Sequence, residues 1–278
     1  MKKSRYLCIA ALLLVAACSG PSKRFDQQAW DYGFQKSEYQ GNGFSHLVYR
    51  NNSVQNSLVL HVYLGGDGTP WIDGKLIAWD PTPRNPVGLR LMALDDLPSI
   101  YLGRPCYHGK SITHPCSPSL WTSERYSAEV VDSMAVVLQE VIRQGEYQEL
   151  VLIGFSGGGG LAMLLAERFP QTRQVVTLAG NLDIQAWVTL HHYDALTGSL
   201  NPRNINPLAD KIQQYHLAGG RDTNIPPQMI KNAIQQQKNS QFILLEGFTH
   251  GCCWEKIWKS MLECLSKACV WKERTSAL

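Results

Sequence analysis

The sequence has no apolar segment long enough to cross a membrane as a stable helix. The apolar run at residues 6–17 is too short, because a spanning helix needs about 20 such residues. Lys2, Lys3 and Arg5 precede this run. A positively charged start followed by a short apolar stretch is typical of a secretory signal peptide. Residues 1–17 are therefore predicted to be a leader that is removed.

The chain behind this leader also lacks an excess of charge of either sign. The full sequence has 26 Lys and Arg against 23 Asp and Glu, and loss of the three leader cations brings the two numbers level. No cluster of basic residues remains, so the chain has no positive surface of the kind that binds phosphate backbones. We therefore expect no nucleic-acid partner.

Signatures of phosphate and cofactor binding are either missing or out of place. The glycines at residues 157–160 are not followed by the Lys and Ser or Thr of a P-loop. The spacing Gly157-x-Gly159-x-x-Ala162, with Asp183 after the next predicted strand, does fit a dinucleotide fingerprint. That fingerprint normally opens the first strand-helix-strand unit of its domain, whereas several predicted strands precede it here. No cofactor is expected.

The end of the leader resembles the lipobox of bacterial lipoproteins. Residues 15–18 read Val-Ala-Ala-Cys, and the resemblance implies cleavage before Cys18 and acylation of its thiol and new amino group. Several acyl chains on one residue hold a protein firmly to a membrane. Ser19 rather than aspartate follows, which in such lipoproteins favours the outer membrane of the cell envelope. The alternative is an ordinary secretory peptide with a cysteine there by chance.

One α/β domain is predicted for the rest of the chain, because we find no internal repeat, low-complexity tract or convincing linker. The expected organisation is a lipoprotein signal peptide at 1–17, a lipidated polar tether at 18–32 and a single domain at 33–278. Strands alternate with helices, which indicates a mostly parallel central sheet with helices on both faces. Two runs around Gly41-Asn42-Gly43 predict an antiparallel hairpin at its N-terminal end.

Six cysteines remain once the leader and Cys18 are set aside. An even number in an oxidising compartment indicates disulfides. Cys106 and Cys116 bracket a short loop and are the favoured disulfide pair. That loop also contains His108 and His114, but its spacing fits no common zinc motif, so no metal is expected.

The other four cysteines lie near the end of the chain. Cys264 and Cys269 are five residues apart in a helix-like segment, and their Cα atoms would be too far apart to bond unless the helix ends between them. One or both are therefore expected to bond to Cys252 or Cys253.

A candidate nucleophile lies between a predicted strand at 149–153 and a predicted helix. Residues 154–158 read Gly-Phe-Ser-Gly-Gly, the pattern G-x-S-x-G in the context that it requires. A chain turning from strand to helix there places the Ser156 hydroxyl at the helix N-terminus, where free N–H groups favour negative charge. The N–H of Gly157 is then one donor to an oxyanion.

Serine is a poor nucleophile without a base, so a histidine and a carboxylate should lie at the same sheet edge. Asp222 follows the predicted strand at 214–220, and His250 follows the predicted strand at 241–247. Asp222 could instead cap the next helix, and the chain offers other acids and histidines. These competitors are Asp183 as the acid and His191, His192 and His216 as the base.

The order Ser156, Asp222, His250, carried by "GFSGG", "GGRDTNIP" and "EGFTHG", resembles the α/β-hydrolase superfamily. The segments "GGDGTPW", "DPTPRNP", "GRPC", "AGNLD" and "GSLNP" are similar to a group of bacterial exported or lipoprotein hydrolases. The resemblance implies an α/β-hydrolase fold in which these three residues are nucleophile, acid and base of a catalytic triad.

The superfamily also implies a second oxyanion donor after the strand ending at Leu64. Where lipases and esterases carry a His-Gly-Gly-Gly type run, this chain has Gly-Gly-Asp-Gly at 65–68, and matching the runs assigns the N–H of Gly66 or Asp67. A carboxylate would repel an oxyanion, so the Asp67 side chain should point away, toward an arginine such as Arg84 or Arg104.

The expected function is that of a membrane-anchored serine hydrolase. It would cleave an ester-type acyl bond in a small-molecule or lipid-like substrate through an acyl-enzyme. The alternative is a catalytically silent lipoprotein that uses a hydrolase fold for binding or scaffolding, because a fold does not fix a function.

Overall fold

The computed structural model describes residues 20–54 and 56–271, so the expected signal peptide and Cys18 lie outside the described residues. Strands and helices are numbered in chain order. The strands are β1 (Gln35–Gln40), β2 (Ser45–Arg50), β3 (Val59–Leu64), β4 (Trp71–Ile72), β5 (Leu76–Ile77), β6 (Ser99–Leu102), β7 (Glu149–Phe155), β8 (Thr172–Leu178), β9 (Gln213–Gly219) and β10 (Ser240–Leu245). The α-helices are α1 (Pro21–Asp31), α2 (Val87–Met92), α3 (Ala128–Gly145), α4 (Gly157–Ala166), α5 (Ile184–His191), α6 (Pro227–Ala233) and α7 (Glu255–Lys267).

Eight strands form one sheet in the order β1-β2-β6-β3-β7-β8-β9-β10. The pairs β1–β2 and β2–β6 are antiparallel, and the pairs from β6 through to β10 are parallel. The prediction of a mostly parallel sheet with an N-terminal antiparallel hairpin is therefore confirmed. Strands β4 and β5 form a separate two-stranded hairpin, which the sequence pattern did not predict.

The central strand β7 shows why the sheet needs helices on both faces. Its residues are almost all buried, and their side chains alternate between two separate cores, as the period of two in a strand requires. Leu150 and Leu152 lie in one core with side chains of α3 and α4, whereas Val151 and Ile153 lie in the other with side chains of α2 and α7. Every residue of α4 is buried, so this helix is at the centre of the domain.

Helix α3 begins after Ser127, whose side chain accepts a hydrogen bond from the Val130 N–H at 3.3 Å. A 3-10 turn at Pro118–Trp121 and further turns occupy the preceding residues. The helix ends at Gly145, where the next residue, Glu146, takes a left-handed conformation that ends helices.

The expected tether at 18–32 is wrong for the part that the structure describes. Residues 21–31 form α1, in which Phe25 and Ala29 are buried. The Phe25 ring lies 5.1 Å from the Tyr101 ring and 4.4 Å from the His108 ring. Polar residues on the exposed side of a helix gave the segment its tether-like composition, whereas the buried face packs against the sheet. The described residues of this segment are therefore part of the domain.

The disulfides follow chain order. Cys106 bonds to Cys116, with their Cα atoms 5.5 Å apart. The expected bonds from the last two cysteines back to the middle pair are wrong: Cys264 bonds to Cys269, and Cys252 bonds to its neighbour Cys253. Helix α7 ends at Lys267, so the chain can turn and bring the Cα atoms of Cys264 and Cys269 to 5.1 Å, a distance that a disulfide spans.

Candidate active site

Ser156 lies at a sharp turn between β7 and α4. Its φ of 54° and ψ of −123° are sparsely populated for a residue with a side chain, and such strain persists only where the surroundings hold it. The Ser156 N–H donates to the Leu178 carbonyl, and the Ser156 carbonyl accepts from Gly159 and Asn181. A Cβ at Gly154 would lie 2.2 Å from the Gly158 carbonyl oxygen, so the turn requires glycine there.

His250 connects the serine to an acid. Its Nε2 lies 3.0 Å from Ser156 Oγ, and its Nδ1 lies 2.8 Å from Asp222 Oδ2. The loops after β9 and β10 carry Asp222 and His250, and both strands end at the same edge of the sheet as β7. The structure thus brings together the three residues that the sequence placed at this edge. Ser156 can donate its proton to Nε2 while Nδ1–H donates to the carboxylate.

Asp222 also organises its own loop. Its Oδ1 accepts from the N–H groups of Asn224 and Ile225 at 2.8 and 2.9 Å, while Oδ2 accepts from His250. The side chain is fully buried, so these bonds fix its position. The competing acid, Asp183, instead accepts from the Ala186 N–H at the start of α5.

The competing histidines have other partners, although His192 lines the same cavity as Ser156. His216 is buried against Thr177, its Nδ1 lies 2.9 Å from Thr177 Oγ1, and burial lowers its pKa to about 3. His191 Nε2 lies 2.8 Å from the Asn224 carbonyl oxygen, and His192 ends α5 in a left-handed conformation. None of these side chains has a hydrogen bond to Ser156 or Asp222 among the described residues.

Asn224 is a site residue that sequence reasoning missed. Its Nδ2 lies 3.1 Å from His250 Nε2, and its Oδ1 lies 3.3 Å from the Trp187 indole nitrogen. An indole N–H only donates, so this contact requires Oδ1 to face Trp187 and leaves the Nδ2 amide facing His250. Nε2 then acts as an acceptor, which assigns the proton of a neutral His250 to Nδ1. The sequence offered one indication of this residue, namely a polar side chain two positions after Asp222.

The loop at 65–68 lies against the serine. A Cβ added to Gly66 would lie 3.2 Å from the Ser156 Cβ. Gly157 is the first residue of α4, so its N–H has no acceptor within the helix. In the described part of the chain, the N–H groups of Gly66 and Asp67 donate to no backbone carbonyl. These three amides are the donors that the sequence assigned to an oxyanion.

The Asp67 side chain lies in a cationic cluster. Its Oδ1 is 2.9 Å from Arg104 Nη2, its Oδ2 is 3.1 Å from Arg125 Nη1, and the Tyr126 hydroxyl donates to Oδ1 at 2.6 Å. Arg104 was one of the two arginines expected as a partner; the other, Arg84, lines the cavity described below and forms no ion pair among the described residues. Arg125 and Tyr126 were not anticipated.

Charge keeps Asp67 ionised. Burial alone would raise the pKa of its carboxyl group, but the charges of Arg104 and Arg125 and the Tyr126 hydrogen bond together lower that pKa below its ordinary value. The cluster also holds the loop backbone, because the Tyr107 hydroxyl donates to the Asp67 carbonyl and Arg104 donates to the Gly65 carbonyl. One negative and two positive charges leave the cluster with a net positive charge close to Ser156.

Gly157 is the point where this cluster meets the serine turn. A Cβ there would lie 1.9 Å from Asp67 Oδ1 and 2.3 Å from the Tyr126 hydroxyl oxygen. Only glycine leaves room for the carboxylate beneath the first turn of α4. The cluster therefore supports the N-terminus of the helix and the loop at 65–68 together.

Ser156 and His250 open into a cavity of about 1030 Å³, near the upper end of the range for small-molecule sites. About half of the side chains that line it are aromatic or aliphatic. They include Trp71, Phe155, Trp187, Tyr193, Leu196 and Ile225. Among the described residues, no group of three or more His, Cys, Asp or Glu side chains could hold a metal ion.

No family profile and no curated protein matches the sequence. Several solved structures are nevertheless similar to it. An alpha-beta serine hydrolase homologue from Coxiella burnetii has 14% identity and a TM-score of 0.58 over 85% of this chain and 97% of its own. An esterase from Pyrococcus furiosus has 8% identity and a TM-score of 0.60 over 85% and 91% of the two chains. An acylaminoacyl peptidase from Pyrococcus horikoshii has 12% identity and a TM-score of 0.57 over 84% of this chain but 41% of its own. These similarities and the strand order show that the chain has the α/β-hydrolase fold.

Proposed function

We propose that the protein is a serine hydrolase that cleaves acyl bonds through a covalent acyl-enzyme. The observation that carries this proposal is the continuous set of contacts from Asp222 through His250 to Ser156, at 2.8 and 3.0 Å. Such a chain of nucleophile, base and orienting acid is the arrangement that activates a serine.

In the proposed reaction, Ser156 Oγ attacks the substrate carbonyl carbon as His250 Nε2 takes the serine proton. Asp222 keeps the imidazole oriented and stabilises its positive charge. The tetrahedral intermediate collapses when His250 returns the proton to the leaving group, and the acyl-enzyme remains. Water activated by His250 then attacks the ester carbonyl, which releases the acid and restores Ser156.

The negative charge on the intermediate requires donors that are already in place. We assign these to the N–H of Gly157 and to the N–H of Gly66 or Asp67, because the loop at 65–68 lies against Ser156. The net positive charge of the Arg104, Arg125 and Asp67 cluster lies behind these donors and favours a developing oxyanion electrostatically.

The cavity offers a place for an apolar acyl group, because about half of the side chains that line it are aromatic or aliphatic. An ester is the simplest candidate, since its leaving group departs more readily than an amine. The similar structures include one described as an esterase and one described as an acylaminoacyl peptidase, and both descriptions are compatible with attack on an acyl carbonyl.

Covalent labelling with a fluorophosphonate tests the proposal, because this reagent reacts with an activated serine whatever the natural substrate. A single adduct on Ser156, seen by intact mass, supports a hydrolase. A folded protein that forms no adduct would instead support the alternative of a silent binding or scaffolding protein.

We also propose that the mature protein is anchored to the outer membrane through acylated Cys18. The support is the lipobox-like sequence at 15–18. No helix within residues 20–54 and 56–271 is long and apolar enough to cross a bilayer.

Cys18→Ser should move the protein from the membrane fraction to the soluble fraction, because several acyl chains would be lost at once. Fractionation and intact mass of the two forms measure this. Ser19→Ala is the matched control and should stay membrane-bound. Retention of the Cys18→Ser form in the membrane fraction would contradict lipid anchoring.

Asn224 is proposed as a positioning residue for His250. Its amide donates to Nε2 and so holds the ring in the orientation and tautomer, with the proton on Nδ1, in which Nε2 faces Ser156. Asn224→Ala should lower kcat by up to about tenfold with little change in KM, which corresponds to one hydrogen bond.

Trp187→Phe separates this role from simple packing. An aromatic side chain is kept, but the N–H that orients the Asn224 amide is lost, so a smaller change in the same direction is expected. Asn232→Ala, on an exposed position of α6, is the control. An Asn224→Ala variant whose kcat matches that of the wild type, or whose loss appears in KM and not in kcat, would contradict the assignment.

A further inference from the structure

The surface beside the cavity carries an unusual concentration of exposed apolar side chains. We call this set the apolar rim, and its members come from the β4–β5 hairpin, from the second residue after it and from one neighbouring loop. Leu76, Trp79 and Ile112 are 67%, 77% and 69% exposed. Large apolar patches on a soluble surface mark interaction sites. The rim consists of Trp71, Ile72, Leu76, Ile77, Trp79 and Ile112.

The hairpin is apolar on both faces. Trp71 pairs with Ile77, and Ile72 pairs with Leu76, so one pair points to each side of the two-stranded ribbon. All four side chains are exposed. A hairpin that packed one face against the domain would bury one of these pairs. This hairpin instead projects both faces outward, as a segment that enters an apolar medium would.

Local contacts hold the members of the rim together. The Ala78 N–H donates to the Pro70 carbonyl at 2.8 Å and closes the base of the hairpin. The Ser111 hydroxyl donates to the Trp79 carbonyl at 2.7 Å, which places the loop of Ile112 beside Trp79. The hairpin, Trp79 and the loop of Ile112 are therefore adjacent.

The N-terminal end of the described chain leaves the domain at this surface. The Ser22 N–H donates to Asp80 Oδ2 at 2.9 Å, so the start of α1 lies beside the residue that follows Trp79. Cys18 lies two positions before Gly20, so their Cα atoms are at most about 7 Å apart in an extended chain. A lipid on Cys18 would therefore enter the bilayer next to the rim.

The rim also borders the cavity. Trp71 and Gly74, in the hairpin, line the same cavity as Ser156. The hairpin turn carries Asp73 and Lys75, one charge of each sign, so the surface has no strong preference for anionic or cationic partners. An apolar surface without net charge matches the interfacial region of a bilayer more closely than it matches a charged polymer.

We propose that the apolar rim is a bilayer-docking surface, which inserts the β4–β5 hairpin and Trp79 into the leaflet that carries the lipid anchor and turns the mouth of the cavity toward it. The substrate class that follows is an acyl compound that partitions into that leaflet. This proposal rests on the proposed anchoring and hydrolase function, and it adds the orientation of the domain and the source of its substrate.

Vesicle binding of the mature chain carrying Cys18→Ser tests the docking surface without the lipid. Vesicles of phosphatidylethanolamine and phosphatidylglycerol are floated with three proteins: the parent, the rim variant Leu76→Ser/Trp79→Ser and the control variant Val136→Ser/Val270→Ser. The control removes exposed apolar side chains from α3 and from the segment after α7. Thermal melting of all three proteins establishes that each is folded.

We expect the parent to bind, the control to bind equally and the rim variant to bind at least about tenfold more weakly, because two large apolar side chains no longer enter the bilayer. Added salt should change binding little. No binding of the parent, or equal binding of the rim variant, would overturn the proposal. The proposal would also be overturned if, without vesicles, the parent were a dimer and the rim variant a monomer. The rim would then bind a second copy of the chain and not a bilayer.

Neither turnover nor acylation enters this measurement, so its outcome is independent of the other two proposals. If fluorophosphonate labelling fails while the rim still binds vesicles, the docking surface stands and the hydrolase proposal does not. If Cys18 proves unmodified, vesicle binding by the rim still shows how the domain meets a membrane.

Discussion

Ser156→Ala is expected to abolish fluorophosphonate labelling and to reduce the hydrolysis of any substrate found by about 10⁴-fold or more. Loss of a triad nucleophile in known serine hydrolases has effects of this size, and the activity that remains comes from binding and the oxyanion donors. His250→Ala should give a similar loss, because the serine keeps its proton without the base. Intact mass after labelling and initial rates with a chromogenic ester measure both effects.

Ser123→Ala is the matched control, because Ser123 lines the same cavity. It should label and turn over like the wild type. An adduct that persists in Ser156→Ala would show that another nucleophile reacts, and the assignment of Ser156 would then be wrong. Equal melting temperatures of the variants and the wild type ensure that a lost adduct reports chemistry and not unfolding.

The second large effect concerns stability. Asp67→Asn should lower the free energy of unfolding by about 3–5 kcal/mol, because it leaves Arg104 and Arg125 buried without their anion. For a domain of this size that corresponds to a fall in melting temperature of roughly 6–20 °C. Asp73→Asn, in the exposed hairpin turn, is the matched control and should change stability by less than about 0.5 kcal/mol.

The pH dependence of the stability difference between wild type and Asp67→Asn is a further test. The pKa of Asp67 in the folded protein lies below its ordinary value, so ionised Asp67 stabilises the fold at pH values above the unfolded pKa of about 4. That contribution is lost as the pH falls through the folded pKa. The difference in the free energy of unfolding between wild type and Asp67→Asn should therefore be largest at neutral pH and become smaller below about pH 4. Equal stabilities at neutral pH would contradict the role of the cluster.

The parts of the fold that depend on neighbouring residues could be predicted from the sequence. The hairpin around Gly41-Asn42-Gly43 and the strand-turn-helix around Ser156 follow from local turn chemistry. The meeting of Asp222 and His250 at one sheet edge was expected because both follow parallel strands. Alternation of strands and helices was sufficient to predict a mostly parallel sheet.

Contacts between distant segments could not be predicted in this way. Asp67 meets Arg125 and Tyr126 across nearly 60 residues of chain, and no periodicity shows which arginine a carboxylate will meet. The Asn224 contact with His250 depends on the side-chain positions of two loops. For α1, a polar composition concealed a buried face of only a few residues, and for Cys264 and Cys269 the pairing depended on the residue at which α7 ends.

Helix α4 begins directly after the nucleophile Ser156 and is buried along its whole length. Segments of this kind exchange their amide hydrogens only when the whole domain unfolds, whereas exposed hairpins and terminal helices open locally at lower cost. The geometry around Ser156 is therefore tied to the global stability of the domain. The serine turn cannot loosen while the rest stays folded, so mild heating should leave the nucleophile in place until the whole domain melts cooperatively.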